Sequence, residues 1–313
     1  MKIYRRLVVL LFVIVAAAFA YYQVRYVRTQ DKVAPEISMD SDTIQVSVEA
    51  TNEDLMQGMS ATDNRDGDVS DSLMVESKTK FFAPGKFEVT YDAFDAAGNV
   101  SKASRTVEYT DYTSPVLHLV EPLRLENGDY QHDIQALFTA EDVIDGDISG
   151  KIKYALGEDF NSYVSGTYVL AVQVSNSFGD TVKEELEMTV LDTDEYDKPF
   201  PCFDEYLLTT KEGEEIDPLE HLIGVQVRSA QYEFDDPYVT QYEPEQVMLS
   251  DGEVDWNTPG VYKLTYSYHS RVSAASVDED DLTGATTVLD EETGIEMVDM
   301  VQGSVDVFVV VQE

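Results

Sequence analysis

Cysteine is almost missing from this chain. Cys202 is the one cysteine among 313 residues, so no intrachain disulfide can form and buried apolar surface must hold the fold alone. A thiol so isolated reads as buried and inert, and its distance from the start speaks against the usual lipid-anchored lipoprotein. Histidine is scarce too: His118, His132, His221 and His269 lie far apart with no metal-ligand spacing. No Gly-x-Ser-x-Gly elbow, His-Glu-x-x-His helix or phosphate-binding glycine loop occurs. Among 61 acidic residues any carboxylate pair suited to glycoside hydrolysis is uninformative, and an enzyme is not expected. Positive charge is the remaining shortage. Six of the 21 basic residues and one of the 61 acidic ones precede residue 33, leaving 15 basic against 60 acidic and a formal charge of −45 over residues 33–313. Such a field repels nucleic acid and anionic lipid, keeps the chain soluble and attracts cations or basic partners.

What is present begins with residues 7–22, LVVLLFVIVAAAFAYY, an uncharged run between Lys2, Arg5 and Arg6 on one side and Arg25, Arg28 and Lys32 on the other. These 16 residues make a helix of roughly 24 Å at about 1.5 Å per residue, which Ile3, Tyr4 and Val24 extend towards bilayer-spanning length. Two fates fit. Ala18-Phe19-Ala20 matches the small-x-small pattern cut by signal peptidase, whereas the Tyr21-Tyr22 pair and the cations behind it suit a retained interfacial anchor. Retention would make residues 1–32 a membrane anchor with a short stalk, spanning the cell membrane once and leaving residues 33–313 extracellular. The end of the sequence, VFVVVQE, shows no LPxTG sorting signal, so covalent wall linkage is not expected.

The body repeats itself about every eighty residues. Pro84-Gly85, Ser165-Gly166 and Pro259-Gly260 each open a stretch of period-two alternation. The apolar positions are Phe87, Val89, Tyr91 and Ala93; then Tyr168, Leu170, Val172 and Val174; then Tyr262, Leu264, Tyr266 and Tyr268. That is the pattern of a strand with one buried and one wet face. Gly98 and Gly179 each fall 13 residues past the opening glycine and mark tight reversals. A closing strand follows in every copy: Thr106–Tyr109, Leu186–Leu191, and Val305–Val311. Upstream, Asp54, Asp133 and Asp217 head short amphipathic turns as helix N-caps, with Pro218 in first position in the third copy.

Short strands punctuated by Gly and Pro predict an all-β chain, three tandem immunoglobulin-like β-sandwich domains behind an N-terminal transmembrane helix. The run ATDNRDGDVS, then PGKFEVTYDAFDAAGN, then RTVEYTD resembles the bacterial immunoglobulin-like surface domains that include the HYR-like and crystal-toxin-associated Ig-like families. The resemblance is close over residues 34–111. Residues 112–192 keep Glu141, Asp142, Asp145, Gly146 and Asp147, but Asn176 replaces Asp95 and Asp180 replaces Asn99. Residues 193–313 keep little beyond the Gly260 strand and the ends. The predicted domains are residues 33–111, 112–192 and a divergent 193–313. The resemblance implies rod-like modules on a bacterial surface, often without enzymatic activity; Pro115, Pro199 and Pro201 at the joints stiffen such a rod.

The acidic stretch DNRDGDVS has two readings. Asp63, Asp66 and Asp68, with Asp142, Asp145 and Asp147 as their twin, are hard oxygen donors that suit weakly bound Ca²⁺ outside a cell. The same residues also build turns, their carboxylates accepting backbone N–H groups while glycine takes the left-handed conformation. The third copy, with Gln226, Ser229 and Ala230 at these positions, favours the turn, and no other cofactor is indicated. The acidic insert at residues 277–300 is either a solvated loop or a contact surface for a partner. The functions open at this point are a tethered stalk and adhesion module, a secreted module binding carbohydrate or a host, and a noncatalytic partner of an envelope enzyme. The identity of a protein or glycan partner is not legible.

Overall fold

The computed structural model describes residues 2–129, 133–239, 241–276, 287–289 and 294–312. The chain begins with helix α1, Lys2–Thr29. Its segment Ile3–Val27 is long and apolar enough, by length and composition, to cross a membrane, with mean hydropathy 2.4. Its apolar side chains point outward in every direction; Leu7, Phe12 and Phe19 are all exposed. A helix apolar all round and buried against nothing suits a lipid environment rather than water.

Everything after it is built on one strand plan repeated three times. The first copy comprises β1 (Glu36–Met39), β2 (Thr43–Val46), β3 (Met59–Asp63), β4 (Gly67–Asp68), β5 (Met74–Lys78), β6 (Lys86–Phe94) and β7 (Val100–Tyr109). They form a three-stranded sheet, β1-β3-β4, and a four-stranded sheet, β2-β7-β6-β5. Strand β2 runs parallel to β7, while β6 and β7 form an antiparallel hairpin through Gly98, whose φ of 85° supplies the reversal.

The second copy consists of β8 (Val116–Leu119), β9 (Arg124–Glu126), β10 (Phe138–Asp142), β11 (Gly146–Asp147), β12 (Lys153–Leu156), β13 (Gly166–Ser175) and β14 (Thr181–Leu191). Its sheets, β11-β10-β8 and β12-β13-β14-β9, repeat the order, with β9 parallel to β14. The third has β15 (Phe200–Phe203), β16 (Leu207–Lys211), β17 (Leu222–Val227), β18 (Ala230–Glu233), β19 (Val247–Asp251), β20 (Gly260–Ser273), β21 (Thr287–Leu289) and β22 (Glu296–Gln312). Here β15-β17-β18 faces β16-β22-β20-β19, with β16 parallel to β22 and β21 added on β22. These are tandem Ig-like sandwiches.

The alternation predicted from sequence sets the buried faces. Phe87, Val89, Tyr91 and Ala93 have no exposed surface, and neither do Leu170, Val172, Val307 and Val309. Each fully buried Val or Leu of this kind stabilises by about 1.5–3 kcal/mol. One local expectation is corrected. Asp54 is not an N-cap: the helix α2, Asn52–Leu55, is capped by Thr51, and Asp54 closes a capping box by accepting the Thr51 N–H at 2.9 Å. The turn therefore starts three residues earlier than its aspartate, because a hydroxyl at Thr51 reaches the orphan N–H of Asp54. In the second copy Asp133 sits at the cap position without a side-chain cap bond. Asp217 caps as expected, accepting the Leu219 N–H.

Two compact units emerge, residues 1–113 and 114–313. Within the second unit the buried side chains of both copies make one continuous cluster, from Leu117 to Val311. Phe308 and Val310 lie on the opposite face of β22 from Val307 and Val309, yet are only 1% and 6% exposed. The two copies are also stitched by polar bonds: Glu205 accepts the Leu119 N–H at 2.9 Å, and the Tyr206 N–H donates to the Leu119 carbonyl at 2.9 Å.

Candidate functional site

The loops joining β3 to β4 and β6 to β7 carry Asp63, Asp66, Asp68 and Asp95. Asp63 ends β3, pairing with Gly67 across the turn. Its Oδ1 accepts the N–H groups of Arg65 and Asp66, at 2.8 and 2.9 Å. Gly67, with φ at 77°, takes the left-handed conformation that closes the loop. Asp66 Oδ2 accepts the Ala96 N–H at 2.9 Å, fastening this loop to the β6–β7 turn. Asp68 accepts the Ser70 N–H at 3.0 Å and its hydroxyl at 2.6 Å. The three predicted residues thus do not converge on one point.

A different set does. Asp31, Asp63 and Asp95 each offer a carboxylate oxygen, and the three oxygens lie within 4.8 Å of one another. Asp63 and Asp95 are each 8% exposed, and the Asp31 side chain 7%. Asp95 is held by Asn99, whose N–H donates to Oδ1 at 2.8 Å and whose side-chain amide donates to Oδ2 at 2.6 Å. Asp31 Oδ1 accepts the Val33 N–H at 3.1 Å, and its Oδ2 lies 3.2 Å from Nε of the half-exposed Arg65. The N–H groups of Asp66 and Arg65 hold the Asp63 carboxyl below its ordinary range. For Asp95, burial works upward but the hydrogen bonds from Asn99 outweigh it, so its carboxyl also lies low. Both are ionised at neutral pH. Asp31 and Asp95 escaped the sequence reading: the first sat in an assumed stalk, and the second was absorbed into a hairpin turn. The signal was the pairing of Asp95 with Asn99.

The second copy reproduces the loop, with Asn176 and Asp180 where the first has Asp95 and Asn99. Asp142 Oδ1 accepts the N–H groups of Ile144 and Asp145, at 3.0 and 2.9 Å. Asp145 fastens the two loops through the Ser177 N–H and hydroxyl, both at 2.7 Å, and pairs with Lys151. Asp147 accepts from Ser149 as Asp68 does from Ser70. Asn176, in place of Asp95, donates its amide to Asp142 Oδ2 at 3.1 Å. In the third copy a hairpin replaces the loop, turning at Arg228 and Ser229 between β17 and β18, with Arg228 at φ 54°.

Elsewhere, His118 meets Glu205 and His221 meets Asp204, at 2.9 and 2.8 Å, while His132 lies outside the described residues. Cys202 is buried, and burial pushes its thiol up, away from reactivity. A cleft of about 780 Å³ in the second unit is lined by Glu121, Tyr196, Tyr206, Gln226 and Arg228. Near it Arg124, 3.8 Å above the Phe200 ring, is lowered to about 10 by burial. The acidic clusters of the insert, Asp278–Asp281 and Asp290–Glu292, lie outside the described residues, whereas β21 pairs antiparallel with the start of β22.

Comparison with known proteins gives the sequence resemblance a firmer footing. Over 216 residues, 68% of this chain, the sequence is 22% identical to the pesticidal crystal protein Cry22Aa of Bacillus thuringiensis, but spans only 28% of that protein. Among solved structures it resembles the second CBM51 and INT domains of Clostridium perfringens ZmpB, determined with GlcNAc. That match is 18% identical, covers 45% of this chain and 29% of the other, and has a TM-score of 0.21. Domains 4–9 of the surface layer protein SbsC are 11% identical, covering 90% of this chain and 50% of theirs, at a TM-score of 0.19. Scores this low say nothing of ligands. Residues 39–109, within the first sandwich, match the family model of bacterial surface protein Ig-like domains.

Proposed function

We propose that this is a non-enzymatic bacterial surface protein, held in the cell membrane by residues 7–22, whose extracellular modules form a stalk and an interaction surface. The modules are residues 33–111, 112–192 and 193–313. One observation carries the reading: a fully exposed apolar helix of 25 residues stands ahead of the same two-sheet plan repeated three times. The first copy matches a surface Ig-like family. The net charge of −45 on the body, counted from the sequence, selects basic or cationic partners over nucleic acid. The partner is a protein or a glycan.

Fractionation of cells expressing the full chain tests the tether. Retention in the membrane pellet through alkaline wash, with an intact N-terminus, is the expected result. A soluble chain in the medium starting at Tyr21 would replace the tether by the secreted module that Ala18-Phe19-Ala20 allows.

A further inference from the structure

We propose that Asp31, Asp63 and Asp95 form a binding site for one divalent cation of the calcium class in the first Ig-like module. Three separated segments supply it: the stretch after α1, the end of β3 and the residue following β6. Their oxygens lie within 4.8 Å of one another. The independent sign of a ligand is what these carboxylates lack. Asp63 is 8% exposed, its Oδ1 is saturated by two backbone N–H groups, and its Oδ2 is buried with no hydrogen-bond donor. Asp31 repeats the arrangement: Oδ1 takes the Val33 N–H, and Oδ2 is buried without a hydrogen bond, in ionic contact, among the described residues, with Arg65. A buried carboxylate oxygen with no donor costs free energy unless a cation meets it.

The second copy is an internal control. There the residue equivalent to Asp95 is Asn176, and its amide gives Asp142 Oδ2 the donor that Asp63 Oδ2 lacks. One copy completes its hydrogen bonds from within; the other gathers three carboxylates against, among the described residues, one half-exposed guanidinium, a charge deficit that a dication fills. The donors are all oxygens, with no imidazole or thiolate among them, which suits Ca²⁺ and argues against softer metals. This assignment replaces Asp66 and Asp68 as ligands, because both are committed to loop hydrogen bonds. The geometry does not depend on the membrane tether; only the expected affinity, weak as in extracellular modules at about 10⁻⁴ to 10⁻³ M, rests on that reading.

The test uses the full chain in detergent micelles, stripped with chelator and titrated with CaCl₂ and separately with MgCl₂ by calorimetry, with melting curves in parallel. We expect one Ca²⁺ per chain, and a rise of about 5 °C in the melting of the first unit at a concentration of about ten times Kd. Asp95→Asn should weaken binding at least about tenfold, as expected for the loss of a charged ligand. Its cation-free melting temperature should stay at or above that of the parent, since it recreates the arrangement of the second copy. Asp31→Asn should also lose binding, and Asp142→Asn should keep it. No Ca²⁺ binding up to about 10 mM, above the range of such modules, would overturn the assignment. So would Asp95→Asn binding like the parent, or Asp142→Asn abolishing it.

Discussion

Arg105 is the least expected residue in the first sandwich. It sits on β7, opposite Val89, and is 4% exposed. Its Nη1 donates to the Gln57 carbonyl at 3.0 Å and its Nε to the Tyr91 hydroxyl at 3.2 Å, while Nη2 reaches the Leu55 carbonyl. The Tyr91 hydroxyl donates to the same Leu55 carbonyl at 2.7 Å. This knot ties α2 to the inner face of the sheet. In the second copy the equivalent positions are Leu186 and Val172, both buried, so an apolar pair fills the same place in the same fold. Arg105→Leu removes three charge-assisted bonds of about 1.5–3 kcal/mol each and strips the Gln57 carbonyl of its donor. It also returns the cost of burying a guanidinium, which offsets much of that sum. The net loss is about 2–4 kcal/mol, equivalent to roughly 10–25 °C in the melting of a domain this size. Arg105→Lys, a point charge unable to serve three acceptors, should fall between. Calorimetry of the chain reads the shift, with hydrogen exchange of the β6 amides as a local reporter. A shift under about 3 °C for Arg105→Leu would show that the knot contributes specificity but little stability, and the reasoning would fail.

Acid should loosen the first sandwich. Asp63 is held low by backbone N–H groups, Asp68 by the Ser70 hydroxyl, and Asp111 by the Ser47 hydroxyl. Their stabilisation is complete above the unfolded value of about 3.9 and is lost as pH falls through their lower folded values. Melting should therefore drop steeply below about pH 4, and a flat profile from pH 5 to 2 would contradict this. Glu184 and Asp306, raised by burial, act with the opposite sign, their contribution weakening as pH rises. Asn176→Asp should remove the donor to Asp142 Oδ2 and cost about 1–3 kcal/mol in cation-free urea unfolding; an unchanged midpoint would deny the amide its role. Gly224→Ala would set a Cβ 2.2 Å from the Tyr232 carbonyl oxygen, forcing β17 and β18 apart at a cost of about 1–3 kcal/mol, and a neutral result in thermal melting would show that the hairpin yields freely.

The strand plan was legible because half-buried strands alternate: Phe87 and Tyr168 are buried at matching positions of two copies, while Tyr262, their counterpart in the third, is half-buried. The joined interior of the second and third copies was not, since alternation speaks only of one sheet's two faces. The run VFVVV at residues 307–311 breaks that alternation, and Phe308 and Val310 are buried in the interior the two copies share. The acidic loops were legible as turns with possible ligands, but the converging set was not. Asp31 lies 32 residues before Asp63 and Asp95 lies 32 residues after it, and they meet only because the end of β3, in one sheet, lies beside the β6–β7 turn of the other. The capping hydroxyl of Thr51 was hidden by the more obvious aspartate three residues on.

Protease shaving of intact cells expressing the full chain tests the central claim most directly: that folded β-sandwiches stand outside a membrane that holds α1. A protease added to the medium should release compact fragments from residues 33–313 while a peptide containing residues 7–22 stays in the membrane. A chain that stays whole until the cells are lysed would place the body on the other side of the membrane and contradict the account.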